Sequence, residues 1–169
     1  MKIKSICLSA LLILGTVLTF AQAPKIGHIN TAKLLQLMPE VEGAQADLKK
    51  YQTEIEGQLD VLVTEYRKKI EEYQDLPATT STTIKKDMET LIVQLEERIR
   101  KFQETAQEEL DTKEKDLLQP ILDKVQKAIE DVAKENKYDY ILDTSGGTVL
   151  YSKESDDITP LVKKKLGLP

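Results

Sequence analysis

Apolar residues recur every 11 positions along two stretches of this chain, at Leu37, Leu48, Leu59 and Ile70, and again at Ile84, Leu95, Ala106 and Leu117. A seam with that period averages about 3.67 residues per turn, so it runs almost straight or turns slightly right-handed, where a seven-residue period wraps tightly left-handed. Other apolar positions complete each stripe at steps of three and four: Val41, Ala44, Tyr51, Ile55, Leu62, Tyr66 and Tyr73 in the first, Met88, Leu91, Ile99, Phe102 and Leu110 in the second. Each stretch is therefore predicted to be one long helix with one apolar face. Their lengths, about 45 and about 55 residues, correspond to about 65 and about 80 Å of helix. Lys113 interrupts the second stripe, which resumes at Leu117 and Ile121.

Residues 76–83, Leu-Pro-Ala-Thr-Thr-Ser-Thr-Thr, separate the two patterns. Pro77 stops a helix, and the hydroxyl side chains that follow can cap the next one. A short loop between long helices makes an antiparallel hairpin. Folding about it brings Leu62 near Arg98 and Tyr66 near Val93. A continuous parallel coiled coil does not fit Pro77 and its five hydroxyl neighbours. Pro120 falls inside the second pattern, where it removes one backbone hydrogen bond and crowds the preceding turn. A kink is expected there, separating the arm from a body helix, residues 121–134, that packs through Val125, Ile129 and Val132.

The flanks read differently. Residues 25–30 alternate like a short strand, with Ile26, His28 and Asn30 on one face and Gly27 and Ile29 on the other. Residues 138–143 and 148–152 read as two further strands, joined as a hairpin through Ser145, Gly146 and Gly147. A last helix follows, with Thr159 as its N-cap, Pro160 in the first turn, three lysines near its negative end and Gly167 beyond it. The fold class is thus mainly α with a small β head, the helical hairpin being inserted into a head that is discontinuous in sequence. Such a head is small, and its outer strands present unpaired edges. Several copies pooling their strands into one closed sheet would remove the edges and create a shared core. Ile26, Ile29, Tyr140, Leu142, Val149 and Tyr151 are the residues expected in that joining body.

Residues 1–21 read as a secretory signal: Lys2 and Lys4 precede an apolar run from Ile6 to Leu18, and small residues suited to cleavage follow. Cleavage after Ala21 fits better than after Ala23, which would leave Pro24 at the cut. Cys7, the chain's one cysteine, leaves with this segment, which excludes disulfides, zinc thiolates and cysteine nucleophiles together. Without Lys2 and Lys4, 22 basic residues face 29 acidic ones, and the formal charge moves from −5 to −7. Lys and Arg are interleaved with Glu and Asp rather than clustered, so a nucleic-acid partner is not expected. With no Trp, two Phe and 31% charged residues, a large globular core is not expected either. The division that results is a signal at 1–21, body at 22–40, arm at 41–119 with its turn near 76–83, and body again at 120–169.

Catalytic chemistry finds little to work with. His28 is the one histidine, placed in a strand of the head, and one histidine without cysteine builds no metal cluster. The carboxylate pairs Glu71-Glu72, Glu96-Glu97 and Glu108-Glu109 fall on the polar faces of long helices. Asp156-Asp157 suits a helix start, and Gly146-Gly147 lacks the third glycine and following helix of a phosphate loop. No cofactor, metal or catalytic residue is assigned. Apolar residues beyond the seam carry more: Val61 and Val63 flank Leu62, and Ile92 and Val93 adjoin Leu91, at similar heights on the hairpin. These four either form a patch for a client or thicken the hairpin interface.

Several stretches carry a family resemblance: residues 25–31, Lys-Ile-Gly-His-Ile-Asn-Thr, leading into 34–40, Leu-Leu-Gln-Leu-Met-Pro-Glu; residues 138–143, Tyr-Asp-Tyr-Ile-Leu-Asp; Gly146-Gly147 and Val149-Leu150-Tyr151; then Asp156-Asp157-Ile158-Thr159 and 161–167. In this order around a long hairpin, the chain resembles the Skp/OmpH family of periplasmic outer-membrane-protein chaperones. The resemblance implies a homotrimer with a small barrel body and three tentacles around a cavity, holding unfolded outer-membrane proteins without nucleotide. Well-known members are basic, whereas this chain is acidic, so membrane or lipopolysaccharide contact is not carried over. A structural spacer or tether of the envelope is the competing reading, and such a chain would favour a complete seam and an anchor.

Overall fold

The computed structural model describes residues 23–169, so the secretory signal expected at residues 1–21 lies outside the described residues. The chain runs through β1 (Ile26–Ile29), α1 (Thr31–Leu35), α2 (Pro39–Gln74), α3 (Thr82–Asn136), β2 (Tyr140–Asp143), a 3-10 turn (Glu154–Asp156) and α4 (Thr159–Leu166). α2 and α3 form the antiparallel hairpin, and everything else gathers at its open end.

The hairpin seam buries Ala44, Ile55 and Leu62 of α2 against Leu95 and Ala106 of α3. Polar bonds across it hold one register from end to end. Glu40 meets Lys124 at 2.5 Å, Tyr51 meets Glu109 at 2.9 Å, Glu65 meets Arg98 at 3.9 Å, and Tyr73 meets Glu89. In all four pairs the two residue numbers add to between 160 and 164, and the predicted partners of Leu62 and Tyr66 fall within one residue of that height. At the tip, α2 stops before Pro77, the Pro77 carbonyl accepts from Thr80 N at 2.9 Å, and Ser81 Oγ caps α3 by accepting from Ile84 N.

One helix boundary differs from the expectation. α2 has 36 residues rather than about 45, because Pro39 holds the residue before it out of the helical region. Met38 is extended there, at φ −90° and ψ 120°, and Leu37 stands outside the helix, 52% exposed. α3, by contrast, passes through Pro120 as one helix of 55 residues, so arm and body share it. A proline costs a helix one amide, and the carbonyl left without a partner belongs to Asp116 on the solvent side. On either side the helix is pinned by Leu117, Ile121, Val125, Ala128 and Val132 in the core.

The head is also arranged differently. The predicted β-hairpin is absent: residues 148–152 form no strand, and β2 pairs with β1 in parallel, Ile26 opposite Tyr140 and His28 opposite Leu142. The entire helical hairpin serves as the crossover that parallel strands require. Before the glycines can turn the chain back, Asp143 takes it over. Its Oδ1 accepts from Ser145 N at 2.9 Å, a two-residue side-chain turn. The chain then crosses to the other side of β1, where Asp157 makes an isolated parallel bridge to His28 and Ile158 N donates to the His28 carbonyl at 2.9 Å.

Ile29, Leu34, Met38, Ile121, Val125, Val132, Ile158 and Val162 make the core between sheet and helices. Gly27 is needed for the closeness of this packing, since a Cβ there would lie 2.8 Å from Ile158 Cγ2 and 3.0 Å from both Ile141 and Tyr138. At the last helix Ile158 rather than Thr159 occupies the N-cap position. Thr159 opens the helix, and Asp157 Oδ1 accepts from its N at 2.8 Å and its Oγ1 at 2.5 Å. Gly167, at φ 73°, ends it in the left-handed region.

Candidate functional site

Strand alternation gives the sheet two chemically different faces. Gly27, Ile29 and Ile141 turn toward the core, while Ile26, His28, Tyr140 and Leu142 turn outward. The outward face is apolar and open: Ile26, Tyr140 and Leu142 are 44%, 61% and 42% exposed. The segment that failed to become a strand adds Tyr151, 82% exposed, and the half-buried Val149 to it. A groove of about 280 Å³ runs between this segment and the sheet, lined by Ile26, Leu142, Val149 and Tyr151 among others. Ile29, at 1% exposed, is buried in the chain's own core. Among the described residues no strand pairs with the far edge of β2.

Polar contacts fix the rim of this face. Asp143, at the end of β2, accepts from Thr31 Oγ1 at 2.5 Å and from Ser145 Oγ at 2.9 Å, tying the sheet to the start of α1. Partial burial pushes the Asp143 carboxyl upward, but the hydrogen bonds from Thr31 and Ser145 outweigh it and hold the group below the usual aspartate range. At the other end, the Lys25 ammonium donates to the Asn136 carbonyl at 2.7 Å and lies 4.1 Å from the Tyr138 ring centre. A cation there complements the carbonyl end of α3.

On the arm, the four residues singled out for client contact divide. Val61 and Val93 are 67% and 61% exposed, whereas Val63 and Ile92 are half-buried. The carboxylate pairs are spread along the hairpin without converging, and among the described residues no group of His, Cys, Asp or Glu is placed to hold a metal ion. Among the same residues no helix is long and apolar enough to cross a membrane.

Charge along the arm is uneven, which the sequence reading missed. Residues 41–60 and 103–119 hold eleven acidic and four basic side chains, while 61–102 hold eight of each. The antiparallel register lays the two acidic stretches side by side at the root of the arm, so the net charge of −7 that residues 22–169 carry lies in that band. The counts were legible in the sequence, but their meaning required the pairing of α2 with α3. Lys113, the residue that breaks the stripe, sits in this band with its ammonium 5.9 Å from the Tyr51 ring centre.

Comparison with known proteins agrees with this architecture. The profile of the family described as outer membrane protein (OmpH-like) matches residues 25–166. The chaperone protein Skp of Yersinia enterocolitica is 26% identical over 167 residues, which span 96% of this chain and 98% of that protein. A crystal structure described as an OmpH-like outer membrane chaperone from Caulobacter crescentus shares the fold, with a TM-score of 0.71 over 85% of this chain and 83% of that one, at 16% identity. With a family match that spans both strands, the complete hairpin and the last helix, this chain belongs to the OmpH-like outer membrane protein family, the Skp/OmpH chaperones, which are not enzymes.

Proposed function

We propose that this protein is a periplasmic holdase that works without ATP, several copies joining through their heads so that the arms surround an unfolded outer-membrane protein. The observation that carries the reading is the outward face of the sheet. A head of two four-residue strands exposes Ile26, Tyr140 and Leu142 on one face with Tyr151 against it, beside a free β2 edge. Contiguous apolar surface and an unpaired edge on one side of a small domain mark a place where another chain binds. Joining there directs every hairpin away from a common base, and three copies, the number the family resemblance implies, would enclose a cavity.

The arm suits holding rather than reacting. α2 and α3 expose scattered apolar residues such as Val61 and Val93 on a surface otherwise rich in charge. Weak, exchangeable contacts keep a client mobile and let it leave without chemical energy. Repulsion between the acidic arm roots keeps neighbouring arms apart. Export to the periplasm rests on residues 1–21 and the family resemblance.

The test is aggregation of an unfolded outer-membrane protein diluted from denaturant, without nucleotide, in the presence of the processed chain. Suppression at near-stoichiometric chaperone is expected. Aggregation at the same rate with and without the chain would leave the spacer reading in possession.

A further inference from the structure

His28, the chain's one histidine, stands in the middle of the outward face. Leu142 is its partner across the sheet, and on its other side His28 Nε2 lies 2.8 Å from the Lys153 carbonyl. A carbonyl only accepts, so Nε2 carries the hydrogen, and Nδ1 is the nitrogen left to gain or lose a proton. The ring shares its groove with Ile26, Leu142, Val149 and Tyr151. We propose that His28 makes the joining of subunits sensitive to pH, holding them together when neutral and loosening them when protonated. This rests on the reading of the outward face as the joining surface.

Desolvation on joining, rather than the surrounding charges, sets the sign. From β2 the titratable groups are Tyr140, on the same face, and Asp143, committed to Thr31 and Ser145 at the strand's far end. From the crossing segment they are Tyr151, Lys153, Glu154, Asp156 and Asp157. Asp157 is engaged by Thr159 N and Oγ1, leaving Asp156 and Lys153, of opposite charge, in the groove. These groups belong to the subunit and act on the ring whether or not it is joined. Covering the face adds a different effect: the ring leaves water among apolar side chains, which disfavours its charged form. The joined state therefore binds the His28 proton less well than the free subunit. Association is full above the range where an imidazole titrates and is lost as pH falls through that range.

Sedimentation velocity of the processed chain and of His28→Gln, at about pH 7.5 and about pH 5.5, tests this. The wild-type dissociation constant between subunits is expected to rise about tenfold or more at the lower pH, with less than about a threefold change in the variant. Equal pH dependence in the two overturns the proposal, whereas wild-type chain that stays single at the higher pH overturns the joining surface itself. Should the variant fold poorly, the ring protons of His28 in the wild type serve instead. Their titration midpoint is expected at lower pH in concentrated than in dilute protein, and one midpoint at both concentrations overturns the proposal.

Discussion

Tyr51 of α2 donates its phenolic hydrogen to Glu109 of α3 at 2.9 Å, and the same arrangement returns 22 residues further along α2, where Tyr73 donates to Glu89. Two 11-residue repeats separate the tyrosines, so both phenols leave the helix on one face and reach acceptors on the partner. Each phenol is held above the usual tyrosine range because the carboxylate accepting its hydrogen bond favours the protonated form. The bonds are exposed and weak, but they report that one register holds from the root of the arm nearly to its tip.

That register predicts where cross-links close. Because residues 22–169 hold no cysteine, Ile55→Cys with Ala106→Cys in a chain that starts at residue 22 places two thiols at one height on the buried seam. Oxidation is expected to give a disulfide within the chain, seen as faster migration on a non-reducing gel. The offset pair Ile55→Cys with Ile99→Cys, about 10 Å further along the hairpin, is expected to stay reduced. Efficient closure of the offset pair would place the helices in another register.

Packing around Gly27 predicts opposite outcomes for two glycine substitutions. Gly27→Ala forces a methyl against Ile158, Ile141 and Tyr138 and is expected to destabilise the head by about 1–3 kcal/mol. Gly57→Ala, inside α2 with nothing within 4 Å of the added Cβ, is expected to stabilise by about 0.5–1 kcal/mol. Urea unfolding of both variants measures this, and similar midpoints for the two would remove the close approach as a constraint.

Asp143 gives the head an acid-sensitive tie. Folding favours the carboxylate, so its contribution is complete above the ordinary aspartate value of about 4 and is lost as pH falls through the lower folded-state value. Between about pH 6 and about pH 3 the thermal midpoint of wild type is expected to fall further than that of Asp143→Asn. Parallel curves would show that the bonds from Thr31 and Ser145 do not favour ionisation.

The division among the four arm residues separates binding from stability. Replacing Val61 and Val93 with Ser is expected to weaken client capture several-fold while leaving the unfolding midpoint within about 0.5 kcal/mol of wild type. Replacing the half-buried Val63 and Ile92 is expected to cost about 1 kcal/mol or more of stability. Capture unchanged in the first variant would remove these side chains from the holding surface.

The helical hairpin was readable because its periodicity repeats over dozens of residues and Pro77 leaves one way to fold. The head was harder. Residues 148–152 alternate as a strand should, yet a strand forms only where an edge accepts it, and Asp143 with Ser145 redirects the chain before the turn at the glycines can form. The parallel pairing of β1 with β2 is set by a crossover of more than a hundred residues, beyond the reach of any local pattern. Pro120 lies inside an unbroken α3, where core contacts on both sides hold the helix together. Ile29 and Ile26 look alike in sequence, and only the position of Ile158 and the helices decides which of the strand's two faces becomes core.

Sedimentation velocity of the processed chain at micromolar concentration, with and without an unfolded outer-membrane protein, tests the account at its centre. It predicts a species of several subunits that takes up one client without gaining or losing subunits, and smaller species when Tyr140 and Leu142 are both replaced by Ser. A folded single subunit at that concentration, with the outward face of its sheet left bare, would contradict it.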